Sequence, residues 1–200
     1  MNITIIGISD MFARAFANWA VDGGHNVTVV GPGIAKPEAF MRDIGATNAL
    51  GRNEPLRDKM IFLALPYNCV LDVLGSYEST EFEGKIVVDL TIPIDFEAFE
   101  PIHPQAGSVA QEISNAVGAR VVKAFNQKFA GALAATQSIG QMQEMLLAGD
   151  DADAKRVVAK LFNEGGLRPV DVGPLRRARE IEAFGYLYVA LRQPNLFKLV

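Results

Sequence analysis

The sequence predicts an α/β fold in which helices cover both faces of a mainly parallel β-sheet. Short strand-like segments alternate with amphipathic helical segments along nearly all of the 200 residues. Several of these strands, such as MIFLAL and KIVVDL, are continuous apolar runs, which suit strands buried on both faces. Because parallel strands joined by helices form right-handed crossovers, we predict a doubly wound sheet.

The predicted elements follow one another without an internal repeat. The strands cover Asn2–Ile6, Asn26–Val30, Met60–Leu65, Lys85–Leu90, Arg120–Ala124, Glu144–Ala148 and Leu167–Val172. The helices cover Met11–Asp22, Asn68–Ser76, Val109–Val117, Asp151–Asn163 and Leu175–Arg192. In the first helix, apolar residues recur at helical spacing until Gly23-Gly24 ends it. The longest irregular segment is Thr91–Gly107, and loops of this length are often functional.

Composition and charge exclude several classes of function. Half of the residues are hydrophobic, 21% are charged and the net charge is −4, which provides no overall field to attract nucleic acid. The single cysteine, Cys69, cannot form an intramolecular disulfide. No apolar run approaches the roughly 20 residues that span a bilayer, and no charged leader opens the chain. We expect a cytoplasmic protein that binds neither nucleic acid, nor a membrane, nor a metal ion.

The first turn, GISDMF, lies where a dinucleotide-binding fold has a G-x-G-x-x-G loop. Gly7 is present, but Ser9 and Phe12 replace the second and third glycines. The helix start offers backbone N–H groups and the positive end of its dipole to a phosphate. The side chains of Ser9 and Phe12 oppose a close backbone approach, and Asp10 adds a negative charge. This turn by itself leaves phosphate binding open.

Six segments along the chain form a more specific pattern. They read GHNVTVVG, IFLALPYNCVLDVL, GKIVVDLTIPID, GARVVKAFNQKFAGAL, LLAGDDADAKRVVAKL and LRPVDVGPLRRARE. Together they resemble the NADP oxidoreductase family that includes the deazaflavin-dependent NADP reductases, and they are similar to the cytoplasmic reductase domains of STEAP metalloreductases. The resemblance implies one Rossmann-type NAD(P)-binding domain over residues 1–200. Its core would span about residues 1–118, and a C-terminal strand and helix extension of about residues 119–200 would pack on it.

The resemblance also implies where a nicotinamide dinucleotide would bind, across the carboxyl ends of the strands. The pyrophosphate would meet the first turn, the adenine ribose would face the end of the second strand, and the nicotinamide half would meet three later loops. The implied residues are Gly7, Ile8, Ser9, Asp10 and Met11, then Gly31, Pro32 and Lys36, and then Leu65, Pro66, Tyr67, Thr91, Pro93, Ala124 and Asn126. Two roles have alternatives, because Tyr67 either stacks on a ring or only begins a helix, and Asn126 either binds the carboxamide or is structural.

NADP is favoured over NAD as the cofactor. No Asp or Glu ends the second strand, where the acceptor for the ribose 2′-hydroxyl of NAD usually lies. Family members often carry Ser-Arg there, whereas this chain has Gly31-Pro32, and Lys36 and Arg42 are the nearby cations for a 2′-phosphate. The second substrate implied by the resemblance is a flavin or a deazaflavin.

Three functions remain open. Hydride transfer between a nicotinamide and a flavin-type ring requires alignment of two rings rather than an acid–base pair, and we assign no catalytic residue. A non-enzymatic dinucleotide sensor or protein-binding module would suit the altered first turn, and is favoured if Phe12 fills the groove. A small-molecule NADP-dependent dehydrogenase would need a proton donor, for which Tyr67, Lys123 and His103 are the candidates. The apolar C-terminal segment AFGYLYVALRQPNLFKLV favours a homodimer.

Overall fold

A mainly parallel sheet forms the centre of the protein. The structure, a computed structural model, describes residues 1–7, 11–31, 37–126 and 144–191, with the backbone alone at Met11 and Asn126. Within these ranges the strands are β1 (Asn2–Ile6), β2 (Asn26–Val30), β3 (Asn48–Leu50), β4 (Met60–Leu63), β5 (Ile86–Asp89), β6 (Ile94–Asp95), β7 (Glu100–Pro101), β8 (Arg120–Asn126), β9 (Glu144–Gly149) and β10 (Arg168–Asp171).

Helices connect most of these strands. The described helices are α1 (Met11–Asp22), α2 (Glu38–Ile44), α3 (Tyr67–Leu74), α4 (Val109–Ala116), α5 (Ala152–Glu164) and α6 (Ala178–Ala190), and 3₁₀ turns cover Ser79–Phe82 and Leu175–Arg177. None of them is long and apolar enough to be a candidate membrane span.

The strand order confirms the predicted doubly wound α/β fold. Eight strands pair in the order β10-β9-β8-β5-β4-β1-β2-β3. Neighbouring strands are parallel except for β8 and β9, which are antiparallel. The chain winds from β1 to β2 in one direction and reaches β4 and β5 in the other. The topological switch point therefore lies at β1, where β1 pairs with both β2 and β4.

Two apolar layers cover the faces of the sheet. Helices α1 and α5 contribute to one layer, where the rings of Phe16 and Phe62 lie 4.7 Å apart and those of Trp19 and Phe162 lie 5.4 Å apart. The indole N–H of Trp19 also donates to the carbonyl of Gly165 at 2.9 Å. Helices α3 and α4 contribute to the second layer. Helix α6 contributes residues to both layers, as expected for an element at the carboxyl edge of the sheet.

The structure differs from the sequence prediction mainly in its short elements. Helix α2 and strand β3 were not predicted, and the segment Thr91–Gly107 contains a two-stranded hairpin of β6 and β7. Strands of two or three residues are too short to show an alternating pattern. The predicted helix Leu175–Arg192 begins as a 3₁₀ turn and continues as α6, and Arg192 lies outside the described residues.

Candidate functional site

A crevice opens where β1 and β4 end side by side. In open α/β sheets, ligands bind outside the carboxyl ends of the strands at the switch point. Gly7 follows β1 there, and the segment Ala64-Leu65-Pro66 follows β4. Gly7 has a φ of +100°, and a Cβ atom at this position would lie 2.2 Å from the carbonyl oxygen of Ala64. Only glycine therefore allows the two strands to end this close together.

A narrow cleft continues from this crevice across the end of β5. Its free volume is about 20 Å³, and it is lined by Phe12, Ala64, Leu65, Pro66, Leu90, Thr91, Ile92 and Phe96. The Phe12 side chain is 5% exposed and belongs to the apolar layer under α1. Its ring therefore occupies space at the cleft that the third glycine of the usual loop would leave open. We call this candidate site the cofactor cleft, since the family resemblance predicts a cofactor there.

Thr91 brings an unsatisfied polar group to the cofactor cleft. Its side chain is 2% exposed, and its hydroxyl has no hydrogen-bond partner in the described part of the chain. Its backbone is engaged, since the N–H donates to Asp89 Oδ1 at 2.8 Å and the carbonyl accepts from Lys123 Nζ. Buried hydroxyls are normally paired because an unpaired one costs about 1–3 kcal/mol. The Thr91 hydroxyl is therefore a group suited to a bound ligand.

A buried ionic cluster lies directly behind Thr91. Lys123 on β8 is 1% exposed, and its ammonium nitrogen lies 2.9 Å from Asp89 Oδ2 and 3.5 Å from Glu182 Oε1. Burial raises the pKa of the Glu182 carboxyl, Lys123 opposes this shift, and the negative charge of Asp89 adds to it. The cluster fixes the backbone of Thr91 because Lys123 binds both its carbonyl and the carboxylate that accepts its N–H.

Glu182 also closes the N-terminus of α4. Its two carboxyl oxygens accept the N–H groups of Val109 at 3.1 Å and Ala110 at 3.3 Å. The next N–H, of Gln111, donates to the N-cap hydroxyl of Ser108 at 3.1 Å. The first backbone donors of this helix are thus satisfied within the protein. This helix end is not available to a phosphate.

Other predicted site residues lie at varying distances from the cofactor cleft. Leu65, Pro66 and Thr91 line it, whereas Pro93 lines a neighbouring pocket and Ala124 is buried within β8. The cleft therefore brings together two of the predicted loops, those that follow β4 and β5.

Two further predicted residues are engaged within the fold. Gly31, at the end of β2, is buried and donates its N–H to Leu50 at 3.3 Å. Tyr67 begins α3 and packs against the second apolar layer. Burial raises the pKa of Tyr67, and the adjacent Glu112 carboxylate raises it further. Tyr67 is not among the residues that line the cleft, and its stacking on a cofactor ring stays a prediction.

Several predicted residues cannot be placed. Ile8, Ser9, Asp10, Pro32 and Lys36 lie outside the described residues, as do the side chains of Met11 and Asn126. Arg42, the other cation considered for a 2′-phosphate, lies on α2 with its guanidinium 3.8 Å from the carboxylate of Glu38.

Sequence reasoning missed the groups that support Thr91. Asp89 is the last residue of β5 within the segment KIVVDL, and a charged residue at the end of a buried strand is a signal that could have been recognised. Glu182 lies 59 residues after Lys123 and has no local signal, because only tertiary packing brings α6 to this edge. Among the described residues, no group of three or more His, Cys, Asp and Glu side chains is placed to hold a metal ion.

The comparisons with known proteins agree with this architecture. Residues 2–93 match the family described as NADP oxidoreductase, coenzyme F420-dependent. An F420-dependent NADP reductase of Methanocaldococcus jannaschii is 33% identical over 66% of this chain and 61% of its own length. The corresponding enzyme of Methanothermobacter marburgensis is 32% identical over 76% of this chain and 69% of its own length.

Two further comparisons extend the likeness. The rat metalloreductase STEAP3 is 32% identical over 90% of this chain but only 36% of its own length. The chain thus spans less than two thirds of the M. jannaschii protein and of STEAP3. A solved structure from Arthrobacter sp. FB24, provisionally described as an F420-dependent NADP reductase, is 24% identical, with a TM-score of 0.74 over 96% of this chain and 92% of its own. This last likeness concerns the fold.

Proposed function

Because the chain belongs to the coenzyme F420-dependent NADP oxidoreductase family, we propose that it is an enzyme that transfers hydride between NADP(H) and a flavin- or deazaflavin-type acceptor. The observation that carries this proposal is the buried hydroxyl of Thr91 in the cofactor cleft, which has no hydrogen-bond partner among the residues that the structure describes. The cleft is otherwise mostly apolar, so the chemistry of its lining suits a flat ring that has one polar substituent, and its free volume of about 20 Å³ would have to widen when such a ring binds. A nicotinamide with its carboxamide is such a ring.

The residues of the cleft would bind and orient the cofactor rather than perform acid–base chemistry. Leu65, Ile92 and Phe96 would cover the faces of the nicotinamide and exclude water, and the Thr91 hydroxyl would bind its carboxamide or the adjoining ribose. The Lys123 ammonium holds the Thr91 carbonyl in place. The cofactor, when bound, supplies the hydride, and the protein contributes alignment. Gly7 and the start of α1 would face the pyrophosphate, with Lys36 the cation for the 2′-phosphate.

Three further features belong to the same proposal, namely the domain organisation, the location in the cell and the assembly. Residues 1–200 act as one domain, and the protein works in the cytoplasm. It also forms a homodimer through α6 and the residue that follows it, where Phe184, Leu187 and Leu191 present exposed apolar side chains. Size-exclusion chromatography with light scattering tests this assembly, and a species of 21.7 kDa, the mass of one chain, would contradict it.

A second candidate function is a non-enzymatic dinucleotide sensor. The position of Phe12 favours it, because the ring lines the cofactor cleft and reduces its width. A third, a small-molecule dehydrogenase, has less support. Lys123 is engaged in the ionic cluster and Tyr67 faces Glu112, which leaves His103 as its candidate proton donor.

Calorimetric titration of the cofactor-free protein with NADPH and then NADH is the first test. We expect micromolar binding with a clear preference for NADPH, followed by NADPH oxidation when coenzyme F420 or a flavin is added. Binding without turnover on any acceptor would favour the sensor. No binding of either nucleotide at millimolar concentration would contradict the proposal.

A further inference from the structure

A pocket lined mostly by polar side chains is formed by α4, the start of α5 and the 3₁₀ turn that precedes α6. Its volume is about 470 Å³, which lies within the usual range for small-molecule sites of roughly 300–1,000 Å³. Its polar lining residues are Gln111, Ser114, Asn115, Asp150 and Arg176. We call this site the polar pocket.

The polar pocket is separate from the cofactor cleft. Among the described residues, the two sites have no lining residue in common. Strand β9 is antiparallel to β8, with Gly149 opposite Val122. Asp150, which follows β9, therefore lies toward the edge of the sheet at which the parallel strands begin, whereas the cofactor cleft lies at the edge where they end. A ligand in the polar pocket would thus use a different set of groups from the cofactor.

Backbone hydrogen bonds fix one wall of the polar pocket. The N–H of Leu175 donates to Asp150 Oδ1 at 2.9 Å, and the N–H of Gly149 donates to the carbonyl of Gly173 at 3.1 Å. The Leu175 side chain is buried and gives the pocket an apolar floor. The fold therefore holds the carboxylate of Asp150 in position before any ligand binds.

Two opposite charges line the polar pocket without neutralising each other. Asp150 and Arg176 are both exposed, and within the described ranges neither forms an ion pair. One oxygen of Asp150 accepts the N–H of Leu175, which leaves Oδ2 to a ligand. Nearby Lys155 and Asp171, by contrast, pair with each other at 2.8 Å. The pocket therefore offers one guanidinium and one carboxylate oxygen that lack a counter-ion in the described part of the chain.

We infer that the polar pocket binds a small zwitterion, an α-amino acid with a polar side chain. An anion would be repelled by Asp150 and a cation by Arg176, so a molecule that carries both charges fits both groups. The guanidinium would hold the carboxylate through two parallel hydrogen bonds, and Asp150 Oδ2 would accept from the ammonium group. The amides of Gln111 and Asn115 and the Ser114 hydroxyl would bind the polar side chain. This inference is independent of the proposed function.

A thermal-shift screen of the full chain with soluble polar L-amino acids is the first test. The probes are serine, threonine, asparagine, glutamine, aspartate, glutamate, lysine, arginine and histidine, each at about 10 mM. We expect at least one of them to raise the melting temperature by at least about 2 °C, because a ligand that binds the folded state stabilises it. Calorimetry then gives its Kd. No shift with any of these amino acids would overturn the inference.

Two variants that each remove a charge test the assigned contacts. Arg176→Gln removes the guanidinium, and Asp150→Asn removes the negative charge but keeps an oxygen that can accept the N–H of Leu175. The matched controls are Arg177→Gln, one residue further on, and Asp153→Asn on α5, since both residues are exposed and neither lines the polar pocket. We expect each pocket variant to bind the amino acid at least about fivefold more weakly than its control.

Two analogues of the amino acid, one without the amino group and one without the carboxylate, assign each contact. Asp150→Asn should not weaken binding of the first analogue, and Arg176→Gln should not weaken binding of the second. Unchanged amino-acid binding in both pocket variants, or a first analogue that binds wild type as tightly as the amino acid, would overturn the inference. Weaker NADPH binding by either pocket variant would also overturn it, because the polar pocket would then belong to the cofactor site.

Discussion

Two neighbouring regions at the carboxyl edge of the sheet differ in whether their polar groups have hydrogen-bond partners. At the N-terminus of α4, the donors of Val109, Ala110 and Gln111 all find acceptors within the protein. At the cofactor cleft, the Thr91 hydroxyl has none in the described residues. A helix N-terminus is often regarded as an anion site, yet here the N-terminus of α4 is closed to ligands. We call it the closed region and the cofactor cleft the open region. A ligand therefore fits where polar groups of the protein lack partners, rather than wherever a helix begins.

Lys123 connects the two regions, and its replacement should have the largest effect. Lys123→Met leaves the carboxylates of Asp89 and Glu182 buried without their cation, and breaking a buried ion pair in this way costs about 3–5 kcal/mol. We expect the free energy of unfolding in urea to fall by about this amount. Lys160→Met is the control, because Lys160 is exposed and its ion pair in the described part of the chain is with Glu164 on the same helix. Equal stabilities of the two variants would contradict the role of the cluster.

The closed region should lose stability, but not ligand binding, when its cap is removed. Ser108→Ala removes the acceptor for the Gln111 N–H, and loss of such an N-cap costs about 1 kcal/mol. Ser114→Ala, in the middle of the same helix, should leave stability unchanged or slightly higher because alanine favours helices. Thermal and urea unfolding measure the effect, and NADPH titration should give wild-type affinity. Weaker NADPH binding by Ser108→Ala alone would show that α4 participates in the ligand site.

The sequence was sufficient to predict the sheet, because its central strands are continuous apolar runs with helices between them. β1 and β2 have the predicted bounds, and α1 does too. The hairpin of β6 and β7 was missed because each strand has two residues. Helix α2 was missed although Gly45, with a φ of +71°, ends it in the left-handed conformation that favours glycine.

The candidate site was predicted less completely, for a physical reason. Gly7 and Thr91 were named as candidate residues because each follows a recognisable strand and the family resemblance implied their positions, and their contacts with a cofactor stay a prediction. The contacts that decide the chemistry join distant parts of the chain, such as Glu182 with Val109 and Lys123 with Asp89. No local pattern in a single sequence reports such contacts. Whether Phe12 lies against the cleft was likewise decided by packing.

The open region should respond to substitution in the opposite way from the closed one. Thr91→Val removes the unpaired hydroxyl and keeps the branched shape, so the free energy of unfolding should stay the same or rise by up to about 1 kcal/mol. The affinity for NADPH should fall about fivefold, which corresponds to one lost hydrogen bond. Thr91→Ser, which retains the hydroxyl, is the control for binding. A Thr91→Val variant that binds NADPH normally would show that the hydroxyl is not a ligand contact.

The smallest expected effect is a pH dependence that distinguishes two glutamates on α6. Burial raises the pKa of Glu182, whereas the hydrogen bond from Arg179 lowers the pKa of the exposed Glu180. As pH rises above the ordinary glutamate value of 4.5, Glu182 ionises first in the unfolded chain. Its contribution to stability is therefore fully present below that value and is lost as pH rises through the raised pKa.

Urea unfolding of wild type, Glu182→Gln and Glu180→Gln at pH values below and above 4.5 separates the contributions of the two glutamates to stability. The wild-type stability relative to Glu182→Gln should decrease as pH rises. Relative to Glu180→Gln it should decrease as pH falls, because a lowered pKa stabilises the fold only while the carboxylate is ionised. The difference in unfolding free energy between wild type and Glu182→Gln is therefore decisive. If it does not change with pH, the Lys123 ammonium and the N–H groups of α4 fully offset the cost of burying the carboxylate. The closed region would then hold an ionised Glu182 at no net cost.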